Sequence, residues 1–288
     1  MLKFLNGNKK NFIKTLNFIL SKRKINSSGK NIIVKKIIRD IQKNKDQALI
    51  KYEKKFSNFK KISTKDLKFS EKEIKNIITK LDKKTKLSID LAFNRIYRFH
   101  KKQILKPYKI SDNYNNNFFY KTSPIEKIGV YVPGGTASYP SSVLMNCIPA
   151  IIAGVKQIYM TTPSADKKFN PAVIYAAKKC NVKEIYKAGG AQAIAALSYG
   201  TQTVKKVNKI FGPGNEYVAI AKKEVFGDVG IDMMAGPSEI TVIADSSANP
   251  DWVAADLIAQ AEHDYFAQSI LVSNNKNIIK KVNKSLNK

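Results

Sequence analysis

The stretch KIGVYVPGGTASYPSSVLMNCIPAIIAGVKQIYMTTP, Lys127 to Pro163, decides the fold. A short β-rich run ends in a glycine turn, the turn feeds an apolar helical stretch, and a second β-rich run follows. The pattern then repeats. QIYMTTP leads to PAVIYAAKKC, EIYKAGG to AQAIAALSYG, and KIFGPGN to EYVAIAKKEVFG. IDMMAGPS and EITVIAD are followed by PDWVAADLIAQAEHD and QSILVSN. Strands and helices alternating at this length specify a parallel sheet covered by helices on both faces. Ligands of such sheets bind outside the carboxyl ends of the strands, where these glycine turns fall.

Upstream of Lys127 the texture differs. NIIVKKIIRDIQKNKDQALIKYEKKF and SEKEIKNIITKLDKKTKLSIDLAFNRIYRFHKKQIL space their apolar residues as helices do. Ser70 is a candidate N-cap, with Glu73 completing a capping box. The Asn-rich segment KPYKISDNYNNNFFYKTSPIE is turn-prone and reads as one short hairpin. The expected class is therefore α/β: a helical N-terminal region followed by doubly wound parallel-sheet units.

Composition narrows the function classes. The formal charge is +29, but residues 1–128 carry net +24 and residues 129–288 only +5. Only four of the 51 basic residues are Arg (Arg23, Arg39, Arg95 and Arg98), whereas specific phosphate and base contacts favour the guanidinium fork. Lys, Asn and Ile rise together, as A/T-rich codons would make them, and no nucleic-acid recognition motif accompanies the charge. A nucleic-acid partner is not expected. No run approaches the roughly 20 apolar residues that span a bilayer, and the basic N-terminus lacks a signal-type apolar core. Cys147 and Cys180 have no metal or redox spacing and read as free thiols, with Cys147 in a core helix rather than acting as a nucleophile. A cytoplasmic protein without membrane contact is expected.

Four turns carry possible chemistry: Pro133-Gly134-Gly135, Gly189-Gly190-Ala191-Gln192, Gly212-Pro213-Gly214-Asn215 and Gly236-Pro237-Ser238-Glu239. Any tight strand-to-helix turn recruits Gly and Pro. Four at one sheet edge, three of them bearing Gln192, Asn215 or Ser238, favour a cleft for a polar small molecule. GPGNEY supplies G-x-G without a third glycine, so spacing alone reveals no dinucleotide loop. In LIAQAEHD, residues 257–264, Gln260 and His263 share a helix face and could hold one metal ion. A lone His at a helix end is equally a dipole partner, and Glu262 or Asp264 is the better ligand on chemistry alone. His100, in a basic helix, reads as a surface residue. Asp232 stands at a strand end with no evident partner.

Taken together, GVYVPGG, AGGAQAIAALSYGT, KIFGPGN, AGPSE and DLIAQAEHD, in this order and spacing, strongly resemble histidinol dehydrogenases, densely from Glu126 to Asp264 and weakly through the Lys-rich helices. The resemblance implies two incomplete Rossmann-like units. It gives an N-terminal helical arm at 1–25, a discontinuous first unit of 26–128 with 239–288, and a second unit at 129–238. It implies a homodimer that oxidises L-histidinol through histidinal to L-histidine, using zinc, two NAD and one water. By motif match Tyr131, Gln192 and Asn215 contact NAD. Ser238 contacts substrate, and Gln260 and His263 bind both zinc and substrate. Family members carry a Glu-His pair, a zinc-binding Asp and a C-terminal His that have no counterpart here. The isolated chain is accordingly expected to hold no catalytic pair and to be inactive; the alternative is a non-catalytic NAD-binding or small-molecule-binding remnant.

Overall fold

The computed structural model describes residues 3–21, 28–57, 62–134, 139–163, 169–234, 239–262 and 267–287. The expected helical start is present: α1 (Phe12–Ser21), α2 (Ser28–Phe56), α3 (Glu71–Ile78) and α4 (Lys83–His100). Ser70 Oγ accepts from the Glu73 N–H while the Glu73 carboxylate accepts from the Ser70 N–H, so the capping box closes as read. α2 is broken at Lys45, whose φ of 49° and ψ of −126° are not helical. β1 (Tyr108–Ser111) and β2 (Asn117–Tyr120) form the expected antiparallel hairpin, with Tyr108 opposite Tyr120. Its turn is tied by Asp112, which accepts from the N–H groups of Tyr114 and Asn116.

The alternation downstream becomes β3 (Lys127–Tyr131), α5 (Pro140–Ile152), β4 (Gln157–Thr161), α6 (Pro171–Lys179), β5 (Glu184–Tyr186), α7 (Gly190–Tyr199), β6 (Lys209–Phe211), α8 (Glu216–Val225) and β7 (Gly230–Ile231). The strands pair in parallel in the order β5-β4-β3-β6-β7. Strand order thus reverses between β3 and β6, the switch point where doubly wound sheets open a crevice. Side-chain alternation gives β3 two faces. Ile128 and Val130 join a core with α5 and α6, and Tyr131 joins one with α7 and α8.

The N-terminal helices supply an outer layer to this sheet. Val34, Ile37, Ile41 and Leu49 of α2 share a core with Ile194 and Leu197 of α7 and Val218 of α8. Ile74 of α3 and Ile89 of α4 share one with Val143 and Ile148 of α5 and Ile174 of α6. This differs from the expected grouping of 26–128 with 239–288. Packing divides the chain into Ser28–Met234 and a second unit of Met1–Ser27 with Ala235–Lys288. The apolar stripes of α2 to α4 find their complement on α5 to α8, which local periodicity cannot specify.

The second unit contains β8 (Glu239–Ile243), α9 (Pro250–Ala261), β9 (Gln268–Val272) and α10 (Lys276–Leu286). β8 and β9 are parallel, with Glu239 opposite Gln268. Val253, Ala254 and Leu257 of α9 and Ile278 and Val282 of α10 form its core, with Ile240, Val242 and Leu271 packed against them. Among the described residues no helix is long and apolar enough to cross a membrane.

Candidate functional site

A cleft of about 710 Å³ opens at the carboxyl edge of the five-stranded sheet. The strand-end turns of β3, β4 and β5, on one side of the switch point, and of β6, on the other, contribute to it. Tyr131, Pro133 and Gly134 follow from β3, Pro163 from β4, Gly189 to Gln192 from β5, and Asn215 and Tyr217 from β6. A further wall is α2, with Tyr52, Glu53, Phe56 and three lysines, Lys36, Lys51 and Lys55. Tyr131, Gln192 and Asn215, proposed from separate motifs, are thereby brought together.

Each is held by the fold. Tyr131 is buried, and its hydroxyl accepts from the Gly190 N–H at 3.1 Å. Burial pushes the Tyr131 hydroxyl up to about 12, so it stays protonated. Asn215 caps α8: its Oδ1 accepts from the Val218 N–H at 3.2 Å. Gln192, in the first turn of α7, donates from Nε2 to Glu53 Oε1 at 2.8 Å.

The turn before α8 is fixed by an ion pair whose lysine is buried. Gly212 has φ of 110°, and a Cβ there would lie 2.0 Å from the Tyr131 carbonyl oxygen, so only glycine fits beside β3. The Gly212 N–H donates to Asp232 Oδ2 at 2.8 Å, and its carbonyl accepts from Lys222 Nζ at 3.0 Å. Lys222 and Asp232 also pair directly. Asp232, without a partner in the linear reading, locks the GPGN turn that presents Asn215.

Glu53 is the residue sequence reasoning missed. It is 1% exposed, and its Oε1 also accepts from the Gly189 N–H at 3.0 Å. Burial raises its carboxyl above the ordinary value, against hydrogen bonds from Gly189, Gln192 and Ser57. One signal was present. Glu53 lies four residues after Leu49 and beside Tyr52, a carboxylate on the apolar stripe of α2. The two leading N–H groups of α7, at Gly189 and Gly190, are taken by Glu53 and Tyr131, so this turn does not hold them out for an anion.

The remaining sequence candidates belong to the second unit. Gln260 is in the last turn of α9, and its Nε2 is buried without a hydrogen-bond partner. Ser238 and His263, with Asp264, lie outside the described residues. Among the described residues no three His, Cys, Asp or Glu side chains converge as a metal requires. A single described amide does not make a zinc centre. The cleft does suit a nucleotide-sized ligand: its volume lies in the usual range of roughly 300–1,000 Å³, its walls are largely apolar, and few polar groups converge in it. His100 sits at the end of α4 against Gln103, away from the cleft lining. Cys147 and Cys180 are buried free thiols.

Fold and cleft together define a doubly wound α/β protein with a cleft at its topological switch point. The histidinol dehydrogenase family model matches residues 20–288. The chain belongs to the histidinol dehydrogenase family. It is 56% identical over 284 residues to a histidinol dehydrogenase of Pelagibacter ubique, covering 98% of this chain and 65% of that relative. It is 48% identical over 267 residues to one of Agrobacterium fabrum, covering 92% and 61%. The crystal structure of histidinol dehydrogenase from Elizabethkingia anophelis superimposes with a TM-score of 0.81 at 42% identity, covering 88% of this chain and 59% of that one. The chain thus spans about 65% of the length of the Pelagibacter relative.

Proposed function

We propose that this chain provides the NAD cleft, and part of the zinc and substrate site, of a cytoplasmic, homodimeric histidinol dehydrogenase that oxidises L-histidinol through histidinal to L-histidine. What supports the reading is the convergence of Tyr131, Gln192 and Asn215, from three separate strand-end turns, on one cleft. NAD, when bound, would supply the hydride acceptor for oxidation of the carbinol carbon. The chain's own part is to bind and orient. Tyr131, as a neutral phenol, and the Nδ2 end of the capping Asn215 offer donors, Gln192 offers a carboxamide, and Lys36, Lys51 and Lys55 favour an anionic ligand. Ser238 would contact the substrate. Gln260 and His263 are this chain's contribution to zinc and substrate, two ligands where such a centre takes three or four.

Carbinol oxidation also needs a base for the hydroxyl proton. Among the described lining residues of the cleft there is no histidine, and the one carboxylate, Glu53, is already committed to α7. The 288-residue polypeptide should therefore bind NAD by calorimetry and, with zinc and histidinol added, form no NADH. Absence of NAD binding would overturn the cleft assignment, and robust turnover would reveal a base elsewhere in the chain. A binding-only role is the second reading. It is favoured by the same commitment of Glu53 and predicts NAD affinity that is indifferent to histidinol.

A further inference from the structure

The contacts of Glu53 do not balance for an ionised carboxylate. Oε1 accepts twice, from the Gly189 N–H and from Gln192 Nε2. On the other side, Ser57 Oγ lies 2.8 Å from Glu53 Oε2 and 2.5 Å from the Glu53 carbonyl oxygen. A serine hydroxyl has one proton and can serve only one of these oxygens. A proton on Oε2 resolves the pair, because Oε2 then donates to Ser57 Oγ, which donates to the carbonyl. Among the described residues no lysine or arginine pairs with Glu53, and the site is 1% exposed, so hydrogen bonds alone, with no cation, stand against the cost of a buried charge.

The same arrangement fixes an ambiguous group. A glutamine amide can present either end to a ligand. Gln192 Nε2 gives one of its two hydrogens to Glu53, which sets the amide's orientation, and no described group donates to its Oε1. Both residues line the cleft. We infer that Glu53 is a positioning residue of the NAD cleft: neutral, and braced by Ser57, it holds the Gln192 carboxamide so that Oε1 faces the ligand as an acceptor. The ligand group met there is a donor, such as a ribose hydroxyl or an amino group. This assignment rests on the NAD reading for its ligand and on the hydrogen-bond inventory for its geometry.

Glu53→Gln keeps the neutral form's acceptor and donor in place, with its amide oxygen toward Gly189 and Gln192 and its NH2, one hydrogen more than the carboxyl, toward Ser57. Glu53→Leu keeps the apolar contacts and removes the anchor. NAD affinity of the full 288-residue chain should weaken about tenfold or more in Glu53→Leu, the scale of one lost buried hydrogen bond, and be rescued to within about threefold of wild type in Glu53→Gln. Raising pH should weaken NAD binding by wild type and leave Glu53→Gln flat. Ser57, Tyr131 and Gln192 face the carboxyl, and Lys36, Lys51, Tyr52, Lys55 and Tyr217 line the cleft; burial holds the Tyr131 hydroxyl up at about 12.

A readout independent of NAD is the side-chain amide signal of Gln192 in the free chain. It should be shifted and slow to exchange in wild type and Glu53→Gln, and ordinary in Glu53→Leu. If Glu53→Leu does not fold, Ser57→Ala replaces it, with the pH response of the Gln192 signal displaced from that of wild type. Loss of NAD binding in Glu53→Gln equal to that in Glu53→Leu would show that the charge matters and overturn the inference. So would a Gln192 signal indifferent to residue 53. Failure of wild type to bind NAD while the Gln192 signal responds as stated would sink the NAD reading and leave the positioning role standing.

Discussion

Glu53 and Gly212 show how single positions set this cleft. Glu53 has a carboxyl value raised by burial. A group raised on folding contributes stability that is complete below its unfolded value and lost as pH rises through its folded value. Denaturant unfolding from acid toward neutral pH should therefore show wild type losing stability relative to Glu53→Gln, whose amide does not titrate. Parallel curves for the two would mean that Glu53 titrates normally in the fold. At Gly212, alanine would combine a φ of 110° with a Cβ 2.0 Å from the Tyr131 carbonyl. A cost of roughly 2–4 kcal/mol is expected by urea denaturation, because backbone rather than a flexible side chain must yield. Neither residue announces its role in the chain. Gln192 stands 139 residues from Glu53, and the contact exists only because α2 lies on α7. Asp232 is similar, since its tie to Lys222 requires α8 to fold back beside β7.

At the scale of elements, local signals and observed structure agree best where the physics is local. The Ser70 and Glu73 box is three residues wide and closes as written. Ser70→Ala should cost about 1 kcal/mol, measured by urea denaturation, with little change elsewhere, since the cap is exposed and serves only the start of α3. The strands and helices from Lys127 onward, and the hairpin at Tyr108–Tyr120, also follow from local period and turn chemistry. The break in α2 does not. Nothing in KNKDQAL forces Lys45 out of helical geometry, but Asp46 meets Thr203, and Lys45 reaches the Gly200 carbonyl, after α7. Turn glycines were a weaker guide, because the N–H groups they free at α7 are claimed by Glu53 and Tyr131.

Across the whole molecule, the two units differ in how completely they are built. The five-stranded sheet is covered on both faces, and β3 and β4 are buried along most of their length. β8 and β9 form a two-stranded parallel sheet with helices packed on one face, and Ile243 is 83% exposed. Parallel strands are ordinarily buried on both faces. Amide hydrogen exchange should be markedly faster in 239–243 and 268–272 than in 127–131 and 157–161, reporting a lower local opening energy. Equal protection would show that the 239–287 segment is as stable as the main sheet.

The sequence by itself determined the alternation of strands and helices, the placement of the glycine turns, and the family motifs that mark Tyr131, Gln192 and Asn215. These depend on periodicity, propensity and capping, all properties of a few neighbouring residues. Only the tertiary structure decided that β3 lies next to β6, that α2 to α4 cover the sheet, and that Glu53 becomes a wall of the cleft. Those outcomes depend on which apolar stripe meets which. A stripe records that a face will be buried, but it carries no record of its partner.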